Sequence, residues 1–323
     1  MNRIGVFTSG GDAPGMNACV RAVVRTALHF NKEIYGIYRG YEGMIDGDIK
    51  KLTSNSVSNT VHRGGTFLQS ARSEEFRTKN GRKEAFKQIS KSGIDGLIAI
   101  GGDGTFRGAM EFNDDFDIPI VGVPGTIDND LFGTDFTIGY DTAVNTAVEA
   151  IDKIRDTANS HHRLFIVEVM GRDAGFIALR SGIGGGAECI LIPESKTDIK
   201  HVIGKLKEGL NRQKTSSIVV VAEGDDAGGA FEVAKQVQDA FDFYDIRVTI
   251  LGHLQRGGNP SAMDRVLASH LGYGAVKALL AGKTNIMVGK QHWEITHTPL
   301  AQATKHHQVV KGSLMNLSEI LAN

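Results

Sequence analysis

Short apolar runs alternate along this chain with longer segments in which apolar residues recur at helical spacing. Several of the runs lack polar alternation, which is typical of parallel strands buried on both faces. Apolar stripes at residues 19–28 and 143–154 predict amphipathic helices, and Asp141-Thr142 is a candidate N-cap for the second. The predicted strands are residues 4–8, 34–38, 97–100, 118–123, 164–170, 189–192, 218–222 and 248–251.

This order predicts an α/β fold of two similar doubly wound lobes, each a mostly parallel sheet flanked by helices. With 323 residues the chain exceeds one ordinary core, so two lobes are the default expectation. The pattern places the boundary between them near Gly139. Ligands of such sheets bind beyond the carboxyl ends of the strands, so the loops that follow the strands are the first candidates for chemistry.

Composition and charge narrow the function classes. The 41% of apolar and 23% of charged residues are typical of a soluble globular protein. A net charge of −1 argues against a broad nucleic-acid or membrane surface. Cys19 and Cys189 lie in apolar contexts, which predicts a reducing compartment and no disulfide framework. With no apolar run that could span a bilayer and no signal peptide after Met1, we expect a cytoplasmic protein.

Residues 124–130, with the sequence PGTIDND, carry the most informative chemistry. They follow an apolar run, and alternation at a strand's end would project Asp128 and Asp130 the same way with Thr126 beside them. Two carboxylates and a hydroxyl at this position suit a base that takes a proton from an alcohol. The alternative is a turn that is merely rich in Asp and Asn.

Two glycine loops follow other predicted strands. In residues 9–15, SGGDAPG, small residues expose backbone N–H groups, and Pro14 is placed to open the next helix. Such a turn can bind phosphate oxygens, although a tight turn that needs only glycine's φ freedom is the alternative. Residues 101–105, GGDGT, add the carboxylate of Asp103, which suits Mg²⁺ beside phosphate groups. Together the two loops favour a nucleoside triphosphate site.

Other motifs are weaker or excluded. No G-x-G-x-x-G opens the first strand–helix unit, which argues against a nicotinamide or flavin site. Gly282-Lys283-Thr284 resembles the end of a P-loop, but Lys277 stands where that motif requires Gly, so we predict a loop. The pairs His161-His162 and His306-His307 have no third ligand in the sequence pattern, and we expect both at the surface.

Five motifs stand in an order and spacing that are seen together in one family. They are residues 8–17, TSGGDAPGMN; 101–105, GGDGT; 124–130, PGTIDND; 170–172, MGR; and 252–258, GHLQRGG. The chain resembles the bacterial-type ATP-dependent 6-phosphofructokinases over nearly its whole length, least clearly after Gly289. The resemblance implies phosphoryl transfer from MgATP to the 1-hydroxyl of D-fructose 6-phosphate, giving fructose 1,6-bisphosphate and ADP, the committed step of glycolysis.

The resemblance also implies an organisation. Residues 1–139 with about 256–305 would form an ATP-binding lobe, and 140–255 with about 306–323 a sugar-phosphate-binding lobe. The family assembles as a homotetramer whose substrate sites are shared between subunits, so Arg163 and Arg247 would act on a neighbour's substrate. No nucleic-acid or membrane partner is implied.

The implied catalytic roles can be checked against physical chemistry. Asp128 would be the base, Thr126 and Asp130 would hold geometry and metal waters, and Arg72 and Arg172 would balance charge on the transferred group. Phosphoryl transfer needs mainly positioning and electrostatic stabilisation, so such a set suffices. For either arginine the alternative is a solvated surface charge. The implied nucleotide contacts are Gly11, Arg72, Ser73, Gly102, Asp103, Gly104 and Thr105, with Asp103 as the magnesium ligand.

Gly11 would also offer its N–H to the transferring phosphoryl group. Guanidinium groups match phosphate bidentately, and several arginines belong to the implied sugar-phosphate site. For His253 the alternative is a hydrogen-bonded loop histidine. The implied contacts of fructose 6-phosphate are Thr126, Ile127, Asp128, Arg163, Met170, Gly171, Arg172, Glu223, Arg247, His253, Leu254, Gln255 and Arg256.

The chain departs from the family pattern at several positions. Ser73 stands where a broad side chain usually flanks adenine, so nucleotide affinity or selectivity is expected to change. The implied effector positions are Arg21, Arg25, Ser54, Asn59, Arg155, Gly186, Glu188, Arg212 and Lys214. Ser54 replaces Arg, Asn59 replaces Asp, and Ser216 replaces a basic residue or His. Fewer charges mean weaker phosphate binding, so control by ADP or phosphoenolpyruvate is expected to be weak.

Two other functions are weighed against this one. Pyrophosphate-dependent relatives typically carry Asp in place of Gly104 and Lys in place of Gly125, and those groups fill the region of ATP's α-phosphate. Both glycines therefore favour ATP. A catalytically silent sugar-phosphate-binding subunit would be expected to have lost Asp103, Asp128 or Arg172, and all three are present.

Overall fold

The computed structural model describes residues 1–158, 163–212, 216–305 and 308–322. Both histidine pairs and Lys214, singled out above, lie outside the described residues. The chain divides into two compact units. Unit 1 comprises Met1–Ile127, Leu131–Thr142 and Arg256–Gln308, and unit 2 comprises Asp128–Asp130, Ala143–Gln255 and Val309–Asn323.

Strands and helices alternate through most of the described chain. The strands are β1 (Arg3–Thr8), β2 (Glu33–Ile37), β3 (Ile49–Leu52), β4 (Gly96–Gly101), β5 (Ile120–Pro124), β6 (Arg163–Val169), β7 (Cys189–Leu191), β8 (Ser216–Ala222), β9 (Asp245–Ile250), β10 (Ile286–Gln291) and β11 (Glu294–Pro299). The α-helices are α1 (Met16–His29), α2 (Gly40–Asp46), α3 (Lys79–Lys91), α4 (Asp103–Phe116), α5 (Tyr140–Ala158), α6 (Phe176–Gly184), α7 (Ile199–Asn211), α8 (Gly229–Ala240), α9 (Ala262–Leu280), α10 (Leu300–Lys305) and α11 (Gly312–Leu321).

The sheet of unit 1 has the strand order β11-β10-β5-β4-β1-β2-β3. Its central strands β5, β4 and β1 pair in parallel, and β4 and β5 are buried along their whole length. Helices α1 and α9 pack against each other, while a core cluster joins α2, α3, α4 and α10 through side chains such as Met44, Ile89, Phe112 and Leu300. Continuous burial explains why the central strands carry apolar runs without alternation.

The sheet of unit 2 has the order β7-β8-β6-β9, and all of its pairs are parallel. Side chains from one face, including Leu164, Ile166 and Val219, pack with Val202 and Val233 of helices α7 and α8. The strand β9 lies at an edge and alternates exposed and half-buried residues over most of its length. Unit 2 thus repeats the parallel architecture of unit 1 on a smaller scale.

The predicted fold of two doubly wound α/β lobes is confirmed. Each predicted strand is present within three residues of its expected ends, and residues 282–284 form a loop. Two details were wrong. The helix α1 begins at Met16 after the left-handed Gly15, so Pro14 lies in the preceding turn. The helix α5 begins at Tyr140, so Asp141 and Thr142 lie in its first turn rather than at the cap.

Both cysteines are free and buried. Burial raises the pKa of the Cys19 thiol far above its usual range and that of Cys189 to about 12, so both stay protonated at neutral pH. Across the described ranges, none of the helices has the length and apolar character that crossing a bilayer demands.

Candidate active site

Three loops follow neighbouring strands at one edge of the unit 1 sheet. Strands β1, β4 and β5 lie side by side in parallel, so their carboxyl ends share that edge. Backbone hydrogen bonds continue past the strands, from Ser9 N to Ile100 O at 3.0 Å and from Gly125 N to Gly101 O at 2.9 Å. The motifs at residues 9–15, 101–105 and 124–130 therefore emerge next to one another, where ligands of such sheets bind.

The first loop contains glycines with positive φ and lies beside the guanidinium of Arg256. Gly10 has φ 84° and Gly15 has φ 109°, values that other residues rarely adopt. A Cβ added to Gly11 would lie 2.6 Å from Nη1 of Arg256, and that nitrogen donates a hydrogen bond to Asp12 O at 3.3 Å. Arg256, grouped above with the sugar-phosphate contacts, therefore borders the glycine loop. Backbone N–H groups beside a guanidinium suit a phosphate group.

The second loop presents a carboxylate at the start of α4. Asp103 is the first residue of this helix, and its Oδ2 lies 3.0 Å from Nη2 of Arg107, one turn later. Its Oδ1 is buried and has no hydrogen-bond partner among the described residues. The same part of the chain contains no cluster of three or more His, Cys, Asp or Glu suited to a metal. A single carboxylate fits Mg²⁺, which keeps several waters and takes phosphate oxygens.

The same loop is open on one side and anchored on another. A Cβ added to Gly104 would meet no heavy atom within 4 Å. The hydroxyl of Tyr41 donates to Thr105 O at 2.6 Å, and the Tyr41 ring stacks on Phe76 with centroids 4.0 Å apart. A buried aromatic pair therefore fixes the loop while the Gly104 side remains free to approach a ligand.

The third loop departs from strand geometry. The strand β5 ends at Pro124, the following residues bend, and Asn129 has φ 55°. Thr137 Oγ1 donates to Thr126 O at 2.6 Å, and the side chains of Thr126, Asp128 and Asn129 are buried. The expected strand alternation that would align Asp128 with Asp130 is wrong, because this segment is a loop held by hydrogen bonds.

The segment before Arg72 is tied to the first helix. Asn17, which the sequence analysis gave no role, accepts a hydrogen bond from Phe67 N at its Oδ1 at 2.8 Å. Arg72 itself is exposed. Ser73 Oγ accepts from Phe76 N at 3.3 Å, at the start of a short 3₁₀ helix, Glu75–Arg77. Ser73 thus has a local hydrogen-bonding role that an aromatic side chain at this position would lack.

In unit 2, a loop with strained backbone presents Arg172. Gly171 has φ 147° and Arg172 has φ 55°. Glu223 Oε1 accepts from Arg172 N at 2.7 Å and from Gly171 N at 3.4 Å. The fully buried Gln255 accepts from Met170 N at 3.3 Å. These two side chains therefore hold the backbone of the loop at Arg172, whose side chain is exposed.

Two arginines of the predicted sugar-phosphate set lie elsewhere in unit 2. Arg163 and Arg247 lie at or near the amino ends of β6 and β9, where both face Asp245 Oδ2 at 3.8 and 2.8 Å. Strand β6 has seven residues, so its ends are about 20 Å apart at ~3.3 Å per residue. At or after the carboxyl ends of this sheet lie Met170, Gly171, Arg172, Glu223, His253, Leu254 and Gln255.

The predicted effector residues of unit 1 lie on α1 and in the loop after β3. Arg21 and Arg25 are one turn apart on α1, and burial and the Arg25 charge lower the pKa of Arg21. Ser54 O accepts from Ser58 Oγ at 3.2 Å. Asn59 has φ 56°, a conformation that Asn tolerates. The two substituted positions therefore have local backbone roles.

The predicted effector residues of unit 2 that the structure describes lie on or beside α5, α6, α7 and β7. Arg155 Nη2 donates to Gly185 O at 2.6 Å and to Gly186 O at 2.8 Å. Glu188 Oε2 accepts from Ile218 N at 2.5 Å. Arg212 follows α7, and Ser216 is the first residue of β8. The arginine and glutamate both support backbone in this structure.

One buried carboxylate was missed by the sequence analysis. Asp264 in the first turn of α9 is 0% exposed and accepts from Gly139 N and Thr142 N, both at 2.8 Å. Burial raises the pKa of Asp264 to about 6, although the hydrogen bonds from Thr142 and Gly139 act in the opposite direction. Nothing in the local sequence signals this role, because its partners lie more than 120 positions away.

Comparison with known proteins relates this site to a family. The phosphofructokinase family profile matches residues 3–279. The ATP-dependent 6-phosphofructokinase of Cytophaga hutchinsonii is 55% identical over 321 residues, covering 99% of this chain and 98% of that protein. ATP-dependent 6-phosphofructokinase 1 of Thermus thermophilus is 55% identical over 322 residues, 100% of each chain.

Solved structures agree with these relatives. A phosphofructokinase structure from Saccharomyces cerevisiae matches with a TM-score of 0.88 and 39% identity. The match covers 94% of this chain and 45% of the yeast chain, so this chain spans less than half of that longer protein. The fold, the order of the motifs and the full-length relatives lead to one conclusion: this chain belongs to the phosphofructokinase family.

Proposed function

We propose that this chain is an ATP-dependent 6-phosphofructokinase, which transfers the terminal phosphoryl group of ATP to the 1-hydroxyl of fructose 6-phosphate. The observation that carries the proposal is the row of three loops after the adjacent strands β1, β4 and β5. Along that row lie a glycine backbone beside a guanidinium, a carboxylate oxygen of Asp103 that has no hydrogen-bond partner among the described residues, and the loop that leads to Asp128. The products are fructose 1,6-bisphosphate and ADP, as in the committed step of glycolysis.

The chain's own residues supply the proton transfer and the charge stabilisation. Asp128 accepts the proton of the 1-hydroxyl as that oxygen bonds to the γ-phosphorus and the bond to the bridging oxygen of ADP breaks. Arg72, Arg172 and the Gly11 N–H balance the charge spread over the transferring group. Asp103 would hold Mg²⁺, which when bound neutralises charge on the nucleotide phosphates.

The remaining sugar-phosphate residues recognise and orient the acceptor. His253, Arg163 and Arg247 would contact the 6-phosphate, and the rigid Arg172 loop would also orient the sugar. Glu223 would serve twice, as a contact of a sugar hydroxyl and as the acceptor that holds the backbone of Arg172. The neighbouring Thr126, Ile127, Met170, Gly171, Leu254 and Gln255 would complete the surroundings of the sugar.

The positions of Arg163 and Arg247 support an assembly of several copies. Within unit 2, Arg163 lies about 20 Å along β6 from its carboxyl end, and Arg247, in register with Phe165, lies about 13 Å from that end, at ~3.3 Å per residue. These separations favour a shared site in which a second copy supplies the two arginines. We propose a homotetramer with shared sites, working in a reducing cytoplasm that keeps both cysteines as thiols, without nucleic-acid or membrane partners.

The two glycines of the donor region support ATP over pyrophosphate. Gly104 leaves open space that an aspartate would fill with negative charge. At Gly125 an added Cβ would lie 3.0 Å from Ile100 Cγ2 and 3.1 Å from Met16 Cε, so any side chain there would crowd the loop. Asp103, Asp128 and Arg172 are all present, which argues against a catalytically silent subunit.

A coupled assay tests the proposal directly. The purified chain is supplied with fructose 6-phosphate and Mg²⁺, with ATP and pyrophosphate offered separately, and fructose 1,6-bisphosphate formation is followed through aldolase. We expect turnover with ATP and at most traces with pyrophosphate. Turnover only with pyrophosphate, or none with either donor while fructose 6-phosphate still binds, would overturn the proposal. The Asp128→Ser variant controls for contaminating kinase.

A further inference from the structure

The buried carboxylate of Asp264 ties the helix α9 to the first turn of α5 and to Gly139 just before it. Its Oδ1 accepts from Gly139 N at 2.8 Å, and its Oδ2 accepts from Thr142 N at 2.8 Å and from Thr142 Oγ1 at 2.5 Å. Every one of these groups donates to the carboxylate. A buried charge persists only when it is compensated in this way, so the position of residues 139–142 is fixed relative to Asp264.

That segment in turn touches two of the three loops. Gly139 has φ 99°, and a Cβ added to it would lie 2.6 Å from Ala13 Cβ and 3.2 Å from Ile127 Cγ2. Ile138 N donates to Pro124 O at 2.9 Å. The residues held by Asp264 therefore pack directly between the loop after β1 and the loop after β5.

Asp264 also borders the first loop without an intermediary. A Cβ added to Gly15 would lie 3.6 Å from both Cβ and O of Asp264 and 2.7 Å from Ile138 Cγ2. Thr137, one residue earlier, donates its hydroxyl to Thr126 O at 2.6 Å. The Asp264 carboxylate is thus connected, directly or through residues 137–139, to the loop after β1 and to the loop after β5.

We propose that Asp264 is a positioning residue for phosphoryl transfer. Its carboxylate fixes residues 137–142, and through them the backbone of the first glycine loop and of Thr126. The inference rests on the proposed function, since it concerns the same reaction. Loops that carry a phosphate-binding N–H and lead to a base must be held accurately, because a displacement of ~1 Å far from the chemistry can cost about 10²-fold in rate.

The variant Asp264→Asn tests the role at nearly constant shape. An amide NH₂ would face backbone or hydroxyl donors, so one hydrogen bond becomes a repulsive contact. We expect kcat per competent site to fall by about 10–100-fold. The Kd of fructose 6-phosphate should change much less than kcat, because the contacts around Asp264 reach Thr126 and Ile127 but none of the residues proposed to hold the 6-phosphate, which are Arg163, Arg247 and His253.

Calorimetric titration with fructose 6-phosphate distinguishes positioning from mere folding. The titration counts binding-competent sites, and kcat is expressed per such site. A purely structural role would lower the number of sites and leave kcat per site unchanged. The control is Asp95→Asn, which alters a carboxylate that accepts from Asn2 N and Arg3 N at the amino end of β1. This control should retain kcat per site.

A second pair of variants decides the question if Asp264→Asn does not fold. Thr142→Val removes the hydroxyl that donates to Asp264, and Thr142→Ser keeps it. We expect kcat per site to fall about tenfold in the first and to stay near wild type in the second. Wild-type kcat per site in Thr142→Val and in any folded Asp264→Asn would overturn the positioning role. A wild-type chain that does not convert fructose 6-phosphate with ATP would instead overturn the proposed function, and the positioning role with it.

Discussion

The open space beside Gly104 allows one substitution that should raise stability and lower activity. Gly104 is the second residue of α4, and a Cβ added there meets no heavy atom within 4 Å. The first side-chain atom of Gly104→Asp therefore meets no overlap with the described residues. The substitution gains about 0.3–0.5 kcal/mol of helix propensity and about 0.3–1 kcal/mol from a negative charge at a helix N-terminus, part of it offset by repulsion from Asp103. We expect Tm to rise by about 2 °C.

The same carboxylate would repel the phosphates of ATP. Two unit charges ~5 Å apart in a medium of effective dielectric constant ~20 repel each other by about 3 kcal/mol. Each 1.36 kcal/mol corresponds to a factor of about ten, so kcat/KM for ATP should fall by roughly two orders of magnitude. Stability and activity thus move in opposite directions, which a general folding defect cannot produce.

The assay titrates ATP at saturating fructose 6-phosphate and is paired with a calorimetric melting curve. Gly204→Asp is the matched control, because Gly204 lies inside α7 and also has no heavy atom within 4 Å of an added Cβ. This control should keep its kcat/KM. If Gly104→Asp kept kcat/KM for ATP within about threefold of wild type, the second loop would not approach the phosphates. A clear drop in Tm would refute the argument from open space.

Four further outcomes are expected. Asp128→Ser should lower kcat by ~10²–10⁴-fold and leave calorimetric binding of fructose 6-phosphate largely intact; near-normal kcat would remove the proton-acceptor role. Mixing inactive Asp128→Ser subunits with inactive Arg247→Ala subunits should restore partial activity, and no rescue despite demonstrated subunit exchange would refute the shared site. Because Ser54 and Asn59 carry no charge to bind an effector's phosphate or metal, fructose 6-phosphate saturation should shift little with millimolar phosphoenolpyruvate; strongly sigmoidal curves would contradict this. Because burial raises the pKa of Asp264 to about 6 from 3.8, the folded state holds this proton more tightly. As the pH rises from about 4 to about 6, the free energy of unfolding of the wild type, measured in urea, should therefore fall by up to ~3 kcal/mol relative to that of Asp264→Asn. A difference between the two proteins that does not change with pH would contradict this.

The sequence predicted the central strands of both sheets well, and physical reasons explain the three strands it missed. Strands β1, β4, β5, β6 and β8 each contain a run of at least four apolar or glycine residues because that part of each strand is buried. The strands β3, β10 and β11 lie at or near the edges of the unit 1 sheet. In β3 and β11 solvent permits residues such as Lys50, Lys51 and His297, so no apolar run marks them. The strand β10 has an apolar run of only three residues before Gly289.

In the candidate site, too, some features could be predicted from the local sequence and others could not. Loop motifs could be predicted because glycines and carboxylates at strand ends are local features of the sequence. The relation between the side chains of Asp128 and Asp130 could not be predicted, because Asn129 between them takes a left-handed conformation that breaks the alternation of a strand. The contacts of Asp264 and the place of Arg256 beside Gly11 depend on chain segments far apart in sequence, which local patterns do not encode.

The order of segments in unit 1 has a consequence for how the chain folds during synthesis. Strand β10 pairs with β5, and α9 packs on α1 and β5, yet both follow every strand of unit 2 in sequence. A growing chain therefore carries β5 with one edge unpaired and α1 with an uncovered apolar face until its last quarter is made. Unit 2, whose strands lie within residues 163–250, can complete its sheet first. The sheet whose first strands are synthesised first is thus the sheet that is completed last, and Asp264 joins it only with that step.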